Sequence, residues 1–178
     1  MEKNRQGLLH IYCGDGKGKT SAAVGMAGRA AGCGMKVLVI RFLKTENSGE
    51  VEVLRSIPGI TVPPCERTFG FVFRMTEEQK QEAALYYQSR FEAAAKEAVQ
   101  GQYDLLILDE ILASCNYGMV RETSVVEFLQ NRPEKLEVVL TGRNPSETFL
   151  ELADYVSEIC MRRHPYEKGI PARRGIEF

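Results

Sequence analysis

Tryptophan is absent from the 178-residue sequence, and histidine occurs only twice, as His10 and His164. Neither histidine lies near a second metal-ligand residue at a zinc-binding spacing, which argues against a structural zinc site. Cysteine occurs five times, at scattered positions with no close pair of the CxxC kind. An odd and scattered set does not build a disulfide framework, so we expect reduced thiols and no cysteine-rich metal site.

The sequence also lacks an excess of either charge, since 23 lysine and arginine residues face 24 aspartate and glutamate residues. Without a basic field, general binding to nucleic acid is not expected. No apolar run is long enough to cross a bilayer, and residues 1–10 lack the pattern of a secretory signal. We therefore expect a cytoplasmic protein with no membrane partner, folded as one domain over residues 1–178.

Short apolar runs alternate along the chain with segments of helical pattern. The expected strands are 8–13, 36–42, 104–108, 136–140 and 155–161. The expected helices are 19–32, 76–100, 123–131 and 145–153. Thr76 and Gln79 fit a capping box for the second, which Gly101 ends, and Asn144 is the expected N-cap of the last. This alternation predicts an α/β fold, with a mostly parallel sheet and helices on both faces.

A glycine-rich loop follows the first expected strand and directly precedes the first helix. Its residues are Gly14, Asp15, Gly16, Lys17, Gly18, Lys19, Thr20 and Ser21. Glycines let consecutive backbone N–H groups point inward, and the helix N-terminus adds the positive end of its dipole, so the loop predicts a phosphate cradle. We expect Lys19 to neutralise phosphate oxygens and Thr20 to reach Mg²⁺. The usual spacing GxxxxGK[ST] demands glycine at position 13, where this chain has Cys13.

Two carboxylates, Asp109 and Glu110, close the apolar run LLILDE. The C-terminal end of a parallel strand faces the ligand crevice, so we expect the pair to complete a Mg²⁺ site with Thr20. Taken alone, an acidic pair fits a solvated loop as well. Arg143, in the run VVLTGR, is a candidate for ATP contact at the same edge, or a surface arginine on a turn. Arg29, on the first helix, is either a further ATP contact or a solvated helix charge.

Three phenylalanines, Phe69, Phe71 and Phe73, alternate in the run RTFGFVFRMTEE. Alternating aromatics usually belong to one face of a core strand. In a stretch broken by prolines, they can also form a flat apolar wall for a large planar ligand. The residues alone leave both interpretations open.

In their order along the chain, these segments resemble the P-loop type of ATP-dependent corrinoid adenosyltransferases. The resemblance covers nearly the whole chain and rests on GDGKGKTSAA, VLVIRFLK, GFVF, LLILDE, VVLTGR, LADYVSEI and KGIPARRGIEF. It implies a P-loop NTPase-like, RecA-like fold, catalytic roles for Lys19 and Glu110, and corrinoid contacts at Phe71 and Phe73. The family pattern GFxW falls on residues 70–73, so Phe73 stands where the family has tryptophan.

The reaction that this resemblance implies is an in-line displacement. The cobalt(I) of a reduced corrinoid, cobalamin or cobinamide, attacks the ribose C5′ of ATP, and triphosphate leaves. The resemblance also implies Mg²⁺ as cofactor, a flavodoxin-like reductant and a homodimer. A leaving group with about four negative charges needs dense positive charge around it, which Lys17, Lys19 and Mg²⁺ would supply.

Two other functions stay open on the sequence alone. A P-loop small-molecule kinase shares the glycine-rich loop but releases ADP, and no segment of the chain resembles an arginine-rich kinase lid. A non-catalytic ATP-binding regulatory module would share the loop as well. A GTPase is disfavoured, because the chain contains no NKxD guanine-reading motif.

Overall fold

The computed structural model describes residues 6–70 and 72–177. Its strands are β1 (Leu9–Cys13), β2 (Val37–Arg41), β3 (Ile60–Thr61), β4 (Leu105–Asp109), β5 (Glu137–Thr141) and β6 (Tyr155–Glu158). They form one sheet in the order β3-β2-β4-β5-β1-β6, and every neighbouring pair is parallel. The predicted α/β fold with a parallel sheet is confirmed.

Helices link the strands on both faces of this sheet. The α-helices of the described residues are α1 (Lys19–Gly32), α2 (Gly49–Ser56), α3 (Glu77–Gln100), α4 (Ile111–Asn116), α5 (Glu122–Asn131) and α6 (Glu147–Leu152). Two short 3₁₀ turns, Val72–Arg74 and Pro165–Lys168, lie in the irregular segments. Among residues 6–70 and 72–177, no helix combines the length and apolarity needed to cross a bilayer.

The central strands supply two hydrophobic cores from alternate residues. In β4, Leu106 and Leu108 belong to the core with α3, α5 and α6, whereas Leu105 and Ile107 belong to the core with α1 and α2. Because both faces of the strand are buried, its sequence is continuously apolar rather than alternating. This arrangement leaves only the strand ends to carry polar side chains.

The edge strand β6 departs from this two-sided burial. Its residues are exposed on both faces, including Tyr155 and Val156. The expectation that helices cover both faces of the sheet therefore holds for its centre and not for this edge.

Two features of the helices differ from the sequence prediction. The short elements α2, β3 and α4 were not expected, because the prolines that follow α2 and the immediate start of α4 after β4 hide their patterns. The prediction of Asn144 as a helix cap is wrong. Asn144 has a left-handed φ of 48°, and α6 begins later, where Ser146 Oγ accepts the Phe149 N–H. An N-cap residue has extended backbone, as Ser146 does, so the left-handed Asn144 does not serve as the cap.

The long helix α3 begins and ends as its sequence predicts. The Thr76 hydroxyl accepts the Gln79 N–H at 3.3 Å, and the Gln79 side chain accepts the Thr76 N–H at 2.9 Å. Gly101 is the C-cap residue. This capping box fixes the point at which the irregular aromatic segment enters the helix.

Candidate active site

The glycine-rich loop joins β1 to α1 at the carboxyl edge of the sheet. Gly14 and Gly18 have φ values of 101° and 121°, a region that side-chain-bearing residues rarely adopt. A Cβ atom on Gly14 or Gly16 would collide with the backbone of Ile159 and Cys160. The Gly16 N–H donates to the Ile159 carbonyl at 2.7 Å. The loop is therefore wedged against the chain that follows β6, and glycine is needed at these positions for space as well as for conformation.

The C-terminal tail is tied to the same loop by side chains. Asp15 Oδ1 accepts the Met161 N–H at 2.8 Å, and this hydrogen bond is the main reason that the pKa of Asp15 is lowered. Lys17 Nζ lies 4.0 Å from Glu177 Oε1. Glu177 also pairs with Arg173, whose hydrogen bonds lower the pKa of Glu177 to about 2. Asp15, an expected ATP contact, thus anchors the tail.

Lys19, the first residue of α1, turns its side chain back into the loop. Its Nζ donates to the carbonyls of Gly14 and Gly16, both at 2.8 Å, and only 8% of the residue is exposed. Burial, and next the positive charge of Arg143, lower the pKa of Lys19. The ammonium therefore lies inside the glycine-rich loop, and its contact with phosphate stays a prediction.

Asp109, at the end of β4, is the most connected polar residue of the edge. Its Oδ1 accepts the Thr141 hydroxyl at 2.7 Å and the Thr20 hydroxyl at 3.1 Å. Its Oδ2 lies 2.6 Å from Lys44 Nζ. The carboxylate is buried, and these contacts with two hydroxyl donors and one cation compensate the cost of removing it from water.

Glu110 follows directly and is held in a left-handed conformation, with φ of 62°. Its N–H donates to the Thr141 hydroxyl at 2.9 Å. Burial and the charge of Asp109 raise the pKa of Glu110, while the positive charges of Lys44 and Lys19 oppose this shift. A strained backbone and a carboxyl group that resists ionisation are both typical of functional positions.

The structure brings most, but not all, of the predicted ATP contacts together. Arg143 is exposed at the same edge, and its charge influences the pKa values of Lys19 and Glu110. Ser21 is exposed in the first turn of α1. Arg29 lies in the last turn of that helix, about 15 Å from Lys19 along the helix axis at 1.5 Å per residue. Within this chain, Arg29 does not reach the loop, and its contact with ATP stays a prediction.

Lys44 is the residue of the site that the sequence analysis missed. It lies between β2 and α2, and its Nζ donates to Thr20 Oγ1 at 2.7 Å in addition to the contact with Asp109. The available signal was its position just beyond the end of a parallel strand, where side chains reach the ligand crevice.

The aromatic segment does not form the core strand that alternation suggests. Phe69 packs on Tyr86 and Tyr87, with ring centroids 5.6 and 5.8 Å apart. Phe73 lies in the 3₁₀ turn Val72–Arg74 and is 78% exposed. Phe71, also expected to contact a corrinoid, lies outside the described residues. Phe69 is therefore an anchor of the segment, whereas Phe73 presents its ring to the surface.

The oxygen donors at this edge fit a magnesium ion. Thr20, Asp109 and Glu110 supply hydroxyl and carboxylate oxygens, the ligands that Mg²⁺ prefers, and the Lys44 ammonium shows that positive charge is already favoured between Thr20 and Asp109. In the part of the chain that the structure describes, no group of three or more His, Cys, Asp or Glu side chains is arranged to hold a metal. A magnesium ion here would therefore depend on phosphate oxygens of a nucleotide as well.

Comparison with known proteins agrees with this geometry. Residues 5–178 match the family model described as ATP:corrinoid adenosyltransferase BtuR/CobO/CobP. The corrinoid adenosyltransferase of Pseudomonas aeruginosa is 32% identical over 177 residues, covering 99% of this chain and 86% of that protein. The corrinoid adenosyltransferases of a Sinorhizobium species and of Escherichia coli K12 are 33% and 32% identical, with 82% and 88% of their lengths covered.

Among solved structures, the cytoplasmic domain of EssC aligns with 97% of this chain and 37% of its own, with a TM-score of 0.51 and 15% identity. A likeness at this identity concerns the fold alone. It agrees with the P-loop NTPase-like architecture.

Proposed function

The chain belongs to the ATP:corrinoid adenosyltransferase family, and we propose that it performs the transfer with MgATP held between the glycine-rich loop and the carboxyl ends of β4 and β5. The observation that carries this assignment is the convergence of Lys19, Thr20 and Asp109 at one edge of the sheet. The loop amides and the Lys19 ammonium bind the phosphate chain, and Arg143 at the rim adds a further positive charge.

The reaction itself asks little acid–base chemistry of the protein. The cobalt(I) electron pair attacks C5′ of ATP, the cobalt–carbon bond forms, and the C5′–oxygen bond breaks with its electrons leaving on triphosphate. Cobalt is formally oxidised from Co(I) to Co(III), so no other oxidant is needed. The protein contributes alignment of the two substrates and compensation of the charge on the leaving group.

In this proposal Thr20 and Glu110 would hold Mg²⁺, and Asp109 positions Thr20 by accepting its hydroxyl proton. Bound there, the metal neutralises negative charge on the departing triphosphate. The raised pKa of Glu110 has a direct consequence, because a protonated carboxyl group is a poor magnesium ligand. The site thus holds its metal less well as the pH falls.

The corrinoid is proposed to bind beside the aromatic segment, with Phe71 and Phe73 as its contacts. The exposure of Phe73 supports this role, since a large apolar ring on the surface can cover a planar ligand. Apolar rings at that position exclude a ligating group from Co(II) and so ease its reduction by a flavodoxin-like donor.

A homodimer in the cytoplasm completes the proposal. The open edge strand β6, with Tyr155 and Val156 exposed, offers a surface for a second copy. All five cysteines are free, as expected in a reducing compartment. Sedimentation of the purified protein tests the dimer, which would be refuted by a single monomeric species across the accessible concentration range.

The activity is tested by incubating the protein with MgATP and chemically reduced cobalamin. Inorganic triphosphate and the absorption spectrum of a carbon–cobalt bond are expected to appear together in equal amounts. Release of ADP would favour a small-molecule kinase. Binding of ATP without turnover would favour a regulatory module.

A further inference from the structure

The Lys44 ammonium lies between the hydroxyl oxygen of Thr20, a ligand of the proposed magnesium site, and a carboxylate oxygen of Asp109. Its Nζ lies 2.7 Å from Thr20 Oγ1 and 2.6 Å from Asp109 Oδ2. Only 21% of its side chain is exposed, and 3% of that of Asp109. An ammonium in this position is a tethered cation that already neutralises the buried carboxylate.

The same arrangement is incompatible with a magnesium ion bound to Thr20. The Thr20 hydroxyl donates its proton to Asp109 and uses a lone pair to accept the Lys44 ammonium. Mg²⁺ would bind through the hydroxyl oxygen at about 2.0–2.1 Å, which places it within a few ångströms of the ammonium. Two cations so close repel each other strongly at a partly buried site, so one has to leave.

The backbone around Lys44 is fixed on both sides, which confines any movement to the side chain. Before it, the Phe42 N–H donates to the Asp109 carbonyl at 2.9 Å. After it, the Thr45 carbonyl accepts a hydrogen bond from Arg41 Nη1 at 2.8 Å, and Glu46 pairs with Arg41 at 2.6 Å. The four-carbon stem of a lysine allows its ammonium to move several ångströms without moving this backbone.

We propose that Lys44 is the resident cation of the nucleotide site. It holds Thr20 and Asp109 in position before the nucleotide binds. When MgATP enters, the Lys44 ammonium leaves this position to Mg²⁺ and moves to the phosphate chain, where it pairs with phosphate oxygens. This inference rests on the proposed magnesium site. The phosphates are the anions that compensate the ammonium in its new position, so the exchange is favourable with MgATP and unfavourable with Mg²⁺ alone. Lys44 therefore selects the metal–nucleotide complex over the free metal.

Binding of Mn²⁺ in the absence of nucleotide, followed by electron paramagnetic resonance, tests this role. Lys44→Met removes the ammonium and keeps most of the stem. We expect it to bind free Mn²⁺ at least about tenfold more tightly than the parent protein, because the metal no longer has to displace an ammonium that is paired with Asp109. Adding Thr20→Val should abolish the gain, which locates the ion. KM for MgATP should rise in Lys44→Met, because the phosphates lose a partner.

Lys36→Met is the matched control, since Lys36 precedes the same strand at the opposite edge and bonds the Gly101 carbonyl at 2.7 Å. It should leave Mn²⁺ binding unchanged. If Lys44→Met melts well below the parent, Lys44→Gln takes its place in the same assay. Unchanged Mn²⁺ affinity in a folded Lys44 variant would overturn the inference. If turnover of the parent protein still required Mg²⁺, the proposed magnesium site would stand. Turnover by the parent protein without any divalent metal would instead refute the proposed magnesium site.

Discussion

At the scale of single residues, we expect Lys19 to contribute both to turnover and to the stability of the glycine-rich loop. Lys19→Ala is expected to lower kcat by about 10² to 10³, the usual loss when one preorganised electrostatic contact is removed. Because Lys19 is buried and bonds the Gly14 and Gly16 carbonyls, we also expect a modest drop in melting temperature. Steady-state kinetics and calorimetry measure the two effects.

Lys17→Ala is the control for this prediction, since half of the Lys17 side chain is exposed. It should weaken turnover less and leave the melting temperature unchanged. Turnover of Lys19→Ala within a few-fold of the parent would contradict the role of the residue in the phosphate cradle.

Glu110→Gln is expected to weaken magnesium dependence and yet to raise thermal stability. The pKa of Glu110 is raised in the folded state, so the stability that its protonated form contributes is present below the unfolded pKa and is lost as the pH rises through the folded pKa. At neutral pH the ionised group therefore costs stability, and the neutral amide removes that cost. The expected result is a higher melting temperature with turnover reduced by about 10².

The pH profile of the magnesium titration gives an independent measure of the same group. The parent should lose Mg²⁺ affinity as the pH falls, at a higher pH than an ordinary glutamate would impose, and the glutamine variant should lack that inflection. An unchanged titration in Glu110→Gln would assign the metal to Asp109 or to another group.

Phe73→Ala tests the proposed contact with the corrinoid, and Phe69→Ala is its control. Phe73→Ala should keep the parent melting temperature, because its ring is exposed. It should lose most activity when cobalt is reduced from Co(II) on the enzyme and least when Co(I) is supplied, since the ring acts on Co(II) ligation. Phe69→Ala should instead lower stability, because its ring packs on two tyrosines. The ring is half-buried, so the loss should fall below the roughly 3–5 kcal/mol of a fully buried phenylalanine. Equal activity losses with both cobalt states would exclude a role of Phe73 in the ligation of Co(II).

At the scale of elements, Arg90 ties the irregular segment before α3 to the sheet. From α3 it donates to the carbonyls of Arg41, Pro63 and Pro64 at 3.1, 3.2 and 2.8 Å. Arg90→Met should speed proteolysis within residues 62–76 and raise KM for the corrinoid, with KM for ATP little changed. Arg121→Met, which removes an exposed arginine of another loop, is the control. Equal increases in both KM values would contradict an anchoring role that is specific to this segment.

The elements that could be predicted from sequence are those with a long or strongly punctuated pattern. The boundaries of α1 and α3 follow from the glycine loop and from the capping box of Thr76, signals that act within a few residues. The helix α2 was missed because it is short, and prolines after it suggest irregular chain. Asn144 misled the prediction because the same residue type suits both a helix cap and a left-handed turn.

The same distinction applies to the site. Lys19, Thr20 and Asp109 were predictable because each is fixed by a motif of contiguous residues. Lys44 was not, since its role depends on a pairing of β2 with β4 that places Arg41 opposite Asp109. The left-handed conformation of Glu110 and the anchoring of the tail by Asp15 likewise depend on neighbours from distant parts of the chain.

At the scale of the whole molecule, the order of the strands places the first strand of the chain beside the last two. The first strand, β1, lies between β5 and β6. The next strand in the chain, β2, is separated from β1 by β4 and β5. The N–H groups of Leu8 and Leu9 bond to side chains 129 and 145 residues further along. The strand that leads into the glycine-rich loop is therefore paired on both sides with strands from the final quarter of the chain.

This strand order has a consequence for folding during synthesis. A ribosome delivers the chain from its N-terminus, so β1 emerges first and has neither of its sheet neighbours until β5 and β6 have been made. Contacts between such distant residues are also the slowest to form. The nucleotide site is thus translated early and assembled late, and nascent chains that stop before residue 137 are expected to carry the complete glycine-rich motif without the ability to bind ATP.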